Sequence, residues 1–234
     1  MNVLLIGGSG LIGSAIVQKF ENRKINYLNF DRFKKHKNFF KGNLEKIEDL
    51  KKLTKFYHNK FGKIDCVINC SYPSKIKTND IKIENSKWLI NYKKNFLSYL
   101  QITVFFIKYF RKHKIEGNII NFASIYGDSL PKFDIYKKNI LTPLDYNFVK
   151  NNIINMSKYF AKKYLGSRIR INAISPGGVF DNHEKNFVKR YAKYTNYKSM
   201  LDPLEVAELT FFLSSEKSKK ITGQNFIIDD GFTL

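Results

Sequence analysis

Tyr146 and Lys150 stand four residues apart in Tyr-Asn-Phe-Val-Lys, a spacing that puts phenol and ammonium on one face of a helix. A phenol titrates near pH 10, poorly matched to acid–base work at neutral pH, and a nearby ammonium lowers that value by favouring phenolate. Ser124 ends the apolar run Asn118–Ala123, which reads as a strand. A hydroxyl there can bond the oxygen of a substrate carbonyl or alcohol. The chain holds 14 tyrosines, so a Tyr-x-x-x-Lys pair also arises on solvated faces. Its place after a strand and a loop is what distinguishes this pair as a centre for acid–base chemistry.

A second group of residues is suited to holding an anion. Gly7-Gly8-Ser9-Gly10-Leu11-Ile12-Gly13 follows an apolar strand and opens a helical pattern. Glycines there let backbone N–H groups approach a pyrophosphate at a helix N-terminus. Asp31 ends the next strand, 18 residues after Gly13. Its carboxylate can accept from adenosine ribose hydroxyls and repel a 2′-phosphate, which favours NAD(H) over NADP(H). Arg32 is a counter-signal, because arginine can hold that phosphate.

These groups need a scaffold, and the patterning supplies one. Strands are predicted at 2–7, Asn26–Asp31, Phe39–Phe40, Ile64–Asn69, Asn118–Ala123, Ile169–Ile174 and Phe226–Asp229. Helices are predicted at Ser9–Asn22, Glu45–Lys60, Trp88–Lys112, Tyr146–Leu165 and Asp202–Ser214, the last opened by an Asp202-Pro203 cap. Trp88–Lys112 is apolar nearly all round and is expected to be buried. Alternating strands and helices imply right-handed βαβ crossovers: an α/β, single-domain Rossmann fold over 1–234, a doubly wound parallel sheet of about seven strands. Ligands of such sheets bind beyond the carboxyl ends of the strands, where all these motifs fall.

Composition bounds the alternatives. The chain has 234 residues, 43% of them hydrophobic, and a formal charge of +21. The lysines are scattered, which argues for a general bias and against a nucleic-acid-binding patch, although an anionic ligand benefits from the field. No apolar run reaches the ~18 residues of a membrane span. Val3-Leu4-Leu5-Ile6 runs into glycines with no basic leader, so it reads as a strand and not a signal peptide. Cys66 and Cys70, four residues apart on a strand, lie ~13 Å apart, too far for a disulfide. They are expected to be buried thiols in a reducing, cytoplasmic setting, with no metal site.

The chain resembles the short-chain dehydrogenase/reductase family over nearly its whole length. The glycine turn, Asn118–Ser124, Tyr146-x-x-x-Lys150 and Asn172-Ala-Ile-Ser-Pro-Gly177 occur in the family's order. The resemblance implies that Tyr146 is the general acid/base, that Lys150 lowers its pKa and binds the nicotinamide ribose, and that Ser124 orients the substrate. Asn95 matches the family's helix asparagine, which helps hold a proton-relay water. Ser9, Leu11 and Ile12 would touch cofactor with the glycines, Asn43 and Leu44 at the adenine edge, and Asn69, Cys70 and Ser71 after the fourth strand. Pro176, Gly177 and Val179 would line the nicotinamide side. Tyr126, Phe133 and Phe180 are expected to meet substrate.

Some positions depart from the family. Ile6 replaces a threonine, Leu11 a glycine, and Asn-Cys-Ser its Asn-Asn-Ala-Gly place. Ser124 and Tyr146 are 22 residues apart, more than usual, and the extra length, 128–143, reads as a loop over the substrate site. Phe180-Asp181-Asn182 stands where many members carry a threonine. Asn69–Pro73, Ser124–Gly127, Thr142-Pro143, Ser175–Asn182 and Gly223–Gly231 resemble the oxidoreductases of bacterial surface-glycan and flagellin-glycosylation loci. That branch implies a sugar or sugar-nucleotide substrate and, with the family, a homodimer or homotetramer. The rival readings are a carbonyl or 3-oxoacyl reductase of a lipid or acyl-carrier substrate, and a catalytically silent nucleotide-binding scaffold.

Overall fold

A computed structural model describes residues 1–74, 83–137 and 144–234. Seven parallel strands form one sheet in the order β3-β2-β1-β4-β5-β6-β7. They are β1 (Asn2–Ile6), β2 (Asn26–Asp31), β3 (Phe39–Lys41), β4 (Cys66–Asn69), β5 (Asn118–Phe122), β6 (Arg170–Pro176) and β7 (Asn225–Ile228). The order reverses between β1 and β4, which pair through Val3–Cys66 to Ile6–Asn69. Such a reversal opens a crevice at the carboxyl ends of the two strands.

Alternate residues of the central strands feed two cores. Leu4, Ile6, Leu28 and Phe30 pack toward α2 (Ile47–Phe61), α4 (Ser98–His113) and α5 (Leu144–Lys163). Val3, Leu5 and Ile68 pack toward α1 (Leu11–Asn22) and α7 (Pro203–Ser214). Both faces of the sheet are thus covered, which is why these strands are continuous apolar runs. The Asp202 cap is present in full: its carboxylate accepts from Leu204 N at 2.7 Å, and Glu205 accepts from Asp202 N at 2.7 Å.

The expected single helix from Trp88 to Lys112 is corrected. It is α3 (Asn85–Tyr92), a π-turn at Lys93–Leu97, then α4. Nor is it buried all round, since Leu89, Ile90, Tyr92 and Leu97 are exposed. β4 stops at Asn69, so Cys70 lies just beyond the strand; both cysteines are free. A short helix that the patterning did not indicate, α6 (Lys185–Tyr191), follows β6. Positions 138–143, the end of the expected substrate loop with Thr142-Pro143, lie outside the described residues. None of the described helices is long and apolar enough to cross a membrane.

Candidate active site

The crevice between β1 and β4 holds the first cavity, about 440 Å³, lined by Gly7, Ser9–Gly13, Asp31–Phe33, Leu44 and Cys70–Pro73, among others. Helix α1 begins there at Gly10 with no side-chain cap and no acid in its first turn. Its N-terminal donors and dipole therefore remain available to an anion. The turn can lie so close because Gly13 has no Cβ: one would stand 2.4 Å from Gly7 O and 2.6 Å from Gly8 Cα. Asp31 braces the turn, accepting from Ser9 N at 3.0 Å and from Arg32 N at 2.6 Å. Arg32 reaches over the crevice to donate to Pro73 O at 3.1 Å.

Other predicted contacts fall differently. Leu44 lines this cavity, but Asn43 is engaged in the α2 approach, where its N–H donates to Asp49 and its side chain accepts from Glu45 N. Asn69 is fully buried, with Oδ1 accepting from Ser71 N and Oγ and Nδ2 lacking a partner. Gly177 and Val179 line a second cavity instead. Pro176 ends β6.

That second cavity, about 610 Å³, opens over Ser124, Tyr126 and Tyr146. Ser124 Oγ accepts from Tyr126 N at 3.2 Å, starting a one-turn 3₁₀ helix at Ile125–Gly127. That turn is stitched to α5: Asn151 donates to Gly127 O at 2.8 Å, and Asn147 donates to Tyr126 O. A Cβ on Gly127 would stand 2.5 Å from Lys150 C, so the approach that carries Ser124 to Tyr146 needs glycine there. The Ser124 side chain stands with Tyr146 on the wall of this cavity, beside the phenol. Lys150, buried on the same face of α5, donates to Phe122 O at 3.1 Å. Serine, tyrosine and lysine therefore meet at the ends of β5 and α5, as their spacing implies.

Burial dominates the electrostatics of this centre. It pushes the Lys150 ammonium down to about 8, with Cys70 opposing, and pushes the Tyr146 phenol up, with the Ser124 hydroxyl opposing. Lys150 Nζ is 5.6 Å from the Tyr146 ring centroid, so the lowering expected from the Tyr–Lys spacing is outweighed here by burial.

Asn95 sits inside the π-turn. Its Oδ1 accepts from Ser74 N at 2.9 Å and its Nδ2 donates to Ser74 O at 3.0 Å. Ser74 Oγ donates to Asn91 at 2.6 Å, and Asn91 donates to Asp145 at 2.6 Å. A buried polar chain thus ties the loop after β4 to the residue preceding Tyr146.

The far wall of the second cavity comes from the 128–137 segment and α6. Tyr126 and Tyr136 share a hydroxyl–hydroxyl bond of 2.6 Å, and Phe133 lines the cavity. Phe180 is exposed and is not among the lining residues. Sequence reasoning missed Tyr72, Phe187, Arg190 and Tyr191. Arg190 Nε donates to Ile135 O at 2.6 Å, and the Tyr191 hydroxyl accepts from Gly178 N at 2.7 Å. Only Tyr72 left a signal, as part of Asn69–Pro73.

Fold and site define a dinucleotide-crevice oxidoreductase of the Rossmann type. Residues 29–233 match the family model described as enoyl-(acyl carrier protein) reductase. The chain belongs to the short-chain dehydrogenase/reductase family and is an oxidoreductase of it. It is 30% identical to post-translational flagellin modification protein A of Campylobacter coli, over 99% of this chain and 98% of that one. A 3-oxoacyl-[acyl-carrier-protein] reductase of Thermotoga maritima is 25% identical, over 82% of this chain and 75% of its own. A crystal structure of a short-chain dehydrogenase from Leptospira borgpetersenii with bound NAD+ superposes with a TM-score of 0.89 at 28% identity, over 99% of this chain and 92% of that one.

Proposed function

We propose that the protein is an NAD(H)-preferring oxidoreductase acting on a hydroxyl or carbonyl of a sugar or sugar-nucleotide derivative in surface-glycan synthesis. The observation that carries the reading is the Ser124–Tyr146 pair on the wall of a 610 Å³ cavity, with buried Lys150 beside it, one strand away from the uncapped α1 crevice. The crevice residues fit a dinucleotide, since the glycine cradle has no room for a Cβ and the helix terminus is open to a pyrophosphate. Gly7, Ser9–Gly13, Asp31, Arg32, Leu44, Cys70 and Ser71 would hold it. When bound, the nicotinamide supplies or takes up a hydride.

In reduction, the chain's own residues handle the proton. Ser124 holds the substrate oxygen, and the Tyr146 hydroxyl delivers a proton to it. Lys150 stabilises the resulting phenolate and binds the nicotinamide ribose; Asn95 fixes the loop beside them. Burial keeps Tyr146 protonated at rest, which suits an acid waiting for an alkoxide. In oxidation Tyr146 takes the proton back.

The sugar reading is supported by the full-length similarity to the flagellin modification protein and by aromatic walls of Tyr126, Phe133, Tyr136 and Phe187, which suit sugar faces or a base. The NAD+ in the Leptospira relative and Asp31 support the cofactor preference. The apolar lining, with Leu130, Pro131 and Met200, also favours a second reading, an acyl-carrier substrate like that of the Thermotoga relative. Exposed Leu97, Phe148 and Tyr159 on the π-turn and α5 support a homodimer or homotetramer built on these helices; the two free thiols suit a reducing, cytoplasmic setting.

The test is a thermal-shift screen of NAD(H), NADP(H), sugar nucleotides and acyl thioesters, followed by turnover of each hit. Tyr146→Phe should lower turnover by ~10² or more with NADH binding retained. Near-normal turnover in that variant would refute the assignment.

A further inference from the structure

We propose that Tyr72 is a positioning residue for the catalytic centre: with Tyr99 and Tyr146 it forms an aromatic cage that holds the buried Lys150 ammonium. The inference rests on the roles given above to Tyr146 and Lys150. Lys150 Nζ lies 5.2 Å from the Tyr72 ring centroid, 5.6 Å from that of Tyr146 and 6.0 Å from that of Tyr99, all within cation–π range. None of the ion pairs among the described residues involves Lys150, whose hydrogen bond is to Phe122 O. The groups facing the ammonium are thus the Cys70 thiol, the three rings and one carbonyl. An ammonium buried without a counter-charge loses its proton easily, and π faces add to the Phe122 carbonyl and Cys70 in favouring the charged form.

Tyr72 is also held where this role needs it. Its ring meets the Tyr146 ring edge-on, with centroids 5.3 Å apart. Near its hydroxyl stands the Asn95 side chain, itself pinned to both backbone polar groups of Ser74. The Asn95 anchor thus reaches Lys150 through a ring. Tyr72 lines the α1 crevice while touching Tyr146, which lines the second cavity, so one side chain stands where the two cavities meet.

The test reads the Lys150 proton directly. The full chain is labelled with [13Cε,15Nζ]-lysine and titrated by NMR, the Lys150 signal being identified by its absence in Lys150→Met. Tyr72→Phe, which keeps the ring, should hold the midpoint within roughly a few tenths of a pH unit. 3,4,5-Trifluorophenylalanine placed at position 72 keeps the shape but depletes the π face, and should lower the midpoint by about one unit relative to Phe. Tyr72→Leu should lower it at least as far if it folds; the fluorinated ring keeps the test valid if it does not. Equal midpoints for Phe and the fluorinated ring would overturn the proposal. Titration of NADH into the wild type is the separate control: failure to bind would refute the proposed function, while the midpoints alone still decide the cage.

Discussion

Replacing Lys150 with methionine should remove catalysis and, at neutral pH, stabilise the fold. Burial lowers the ammonium from its ordinary 10.5 to about 8. Each unit is worth about 1.4 kcal/mol, so keeping the charge costs the folded state about 3 kcal/mol at pH 7. Methionine removes that cost and gives up the bond to Phe122 O and the contacts with three rings, together about 2 kcal/mol. A net gain of about 1 kcal/mol remains for Lys150→Met at pH 7. Below pH 8 both folded and unfolded wild-type chains bind the proton, and the full cost is present. Between pH 8 and 10.5 folded Lys150 has released its proton while the unfolded chain still holds it, so wild-type stability rises relative to the variant. By pH 10 the order of the two proteins should reverse. Urea unfolding at pH 7 and pH 10 measures both differences, and effects of other groups cancel between the proteins. A variant less stable at pH 7, or a difference that does not change between the two pH values, would refute the reasoning.

Three further outcomes are expected. Asp31→Ala should shrink the preference for NAD(H) over NADP(H) by roughly tenfold or more, measured as a ratio of dissociation constants, because the carboxylate no longer opposes a 2′-phosphate. Gly13→Ala puts a methyl group 2.4 Å from Gly7 O and should cost about 1–3 kcal/mol in urea unfolding and weaken NADH binding. Asp202→Ala removes the side-chain half of the α7 capping box, the acceptor for Leu204 N, and should cost about 1 kcal/mol with NADH affinity unchanged, since the cap lies outside both cavities.

The parts of the molecule that were legible in the sequence are those with a local cause. Apolar runs such as Val3–Ile6 and Ile119–Ile120 can only be central strands of a covered sheet, and Asp202-Pro203 with Glu205 is a complete start signal. Tyr146 and Lys150 meet Ser124 because β5 and α5 are neighbouring elements whose ends must converge. The misses have tertiary causes. Nothing in Lys93-Lys94-Asn95-Phe96-Leu97 marks a π-turn; its distinguishing bonds run from Asn95 to Ser74, 21 residues away. Helix α6 has seven residues and buries Tyr191 alone, too little periodicity to read. The phenol of Tyr146 rises because of how deeply it is enclosed, a quantity that spacing does not carry. Tyr72 stood in a motif, but its partners Asn95 and Tyr146 come from distant segments.

The π-turn makes the helix that carries Asn91 and Asn95 sensitive to counting. A turn of this kind holds one residue more than an α-turn, and each residue of a helix advances the side chains by about 100°. The extra residue is absorbed inside the turn, so deleting Lys93 or Lys94 would let α3 and α4 fuse into one regular helix with their flanks near the present phase, while Asn95 would lose the turn geometry that brings it to Ser74. Asn91 would stay near Ser74 and Asp145, but the two bonds between Asn95 and Ser74 would go, and the loop after β4 would lose part of its fastening, although Ser124, Tyr146 and Lys150 had not been changed. Length in this stretch is therefore as much a specification as residue type: substitution at Lys93 or Lys94 leaves the turn intact, whereas a one-codon deletion there abolishes it.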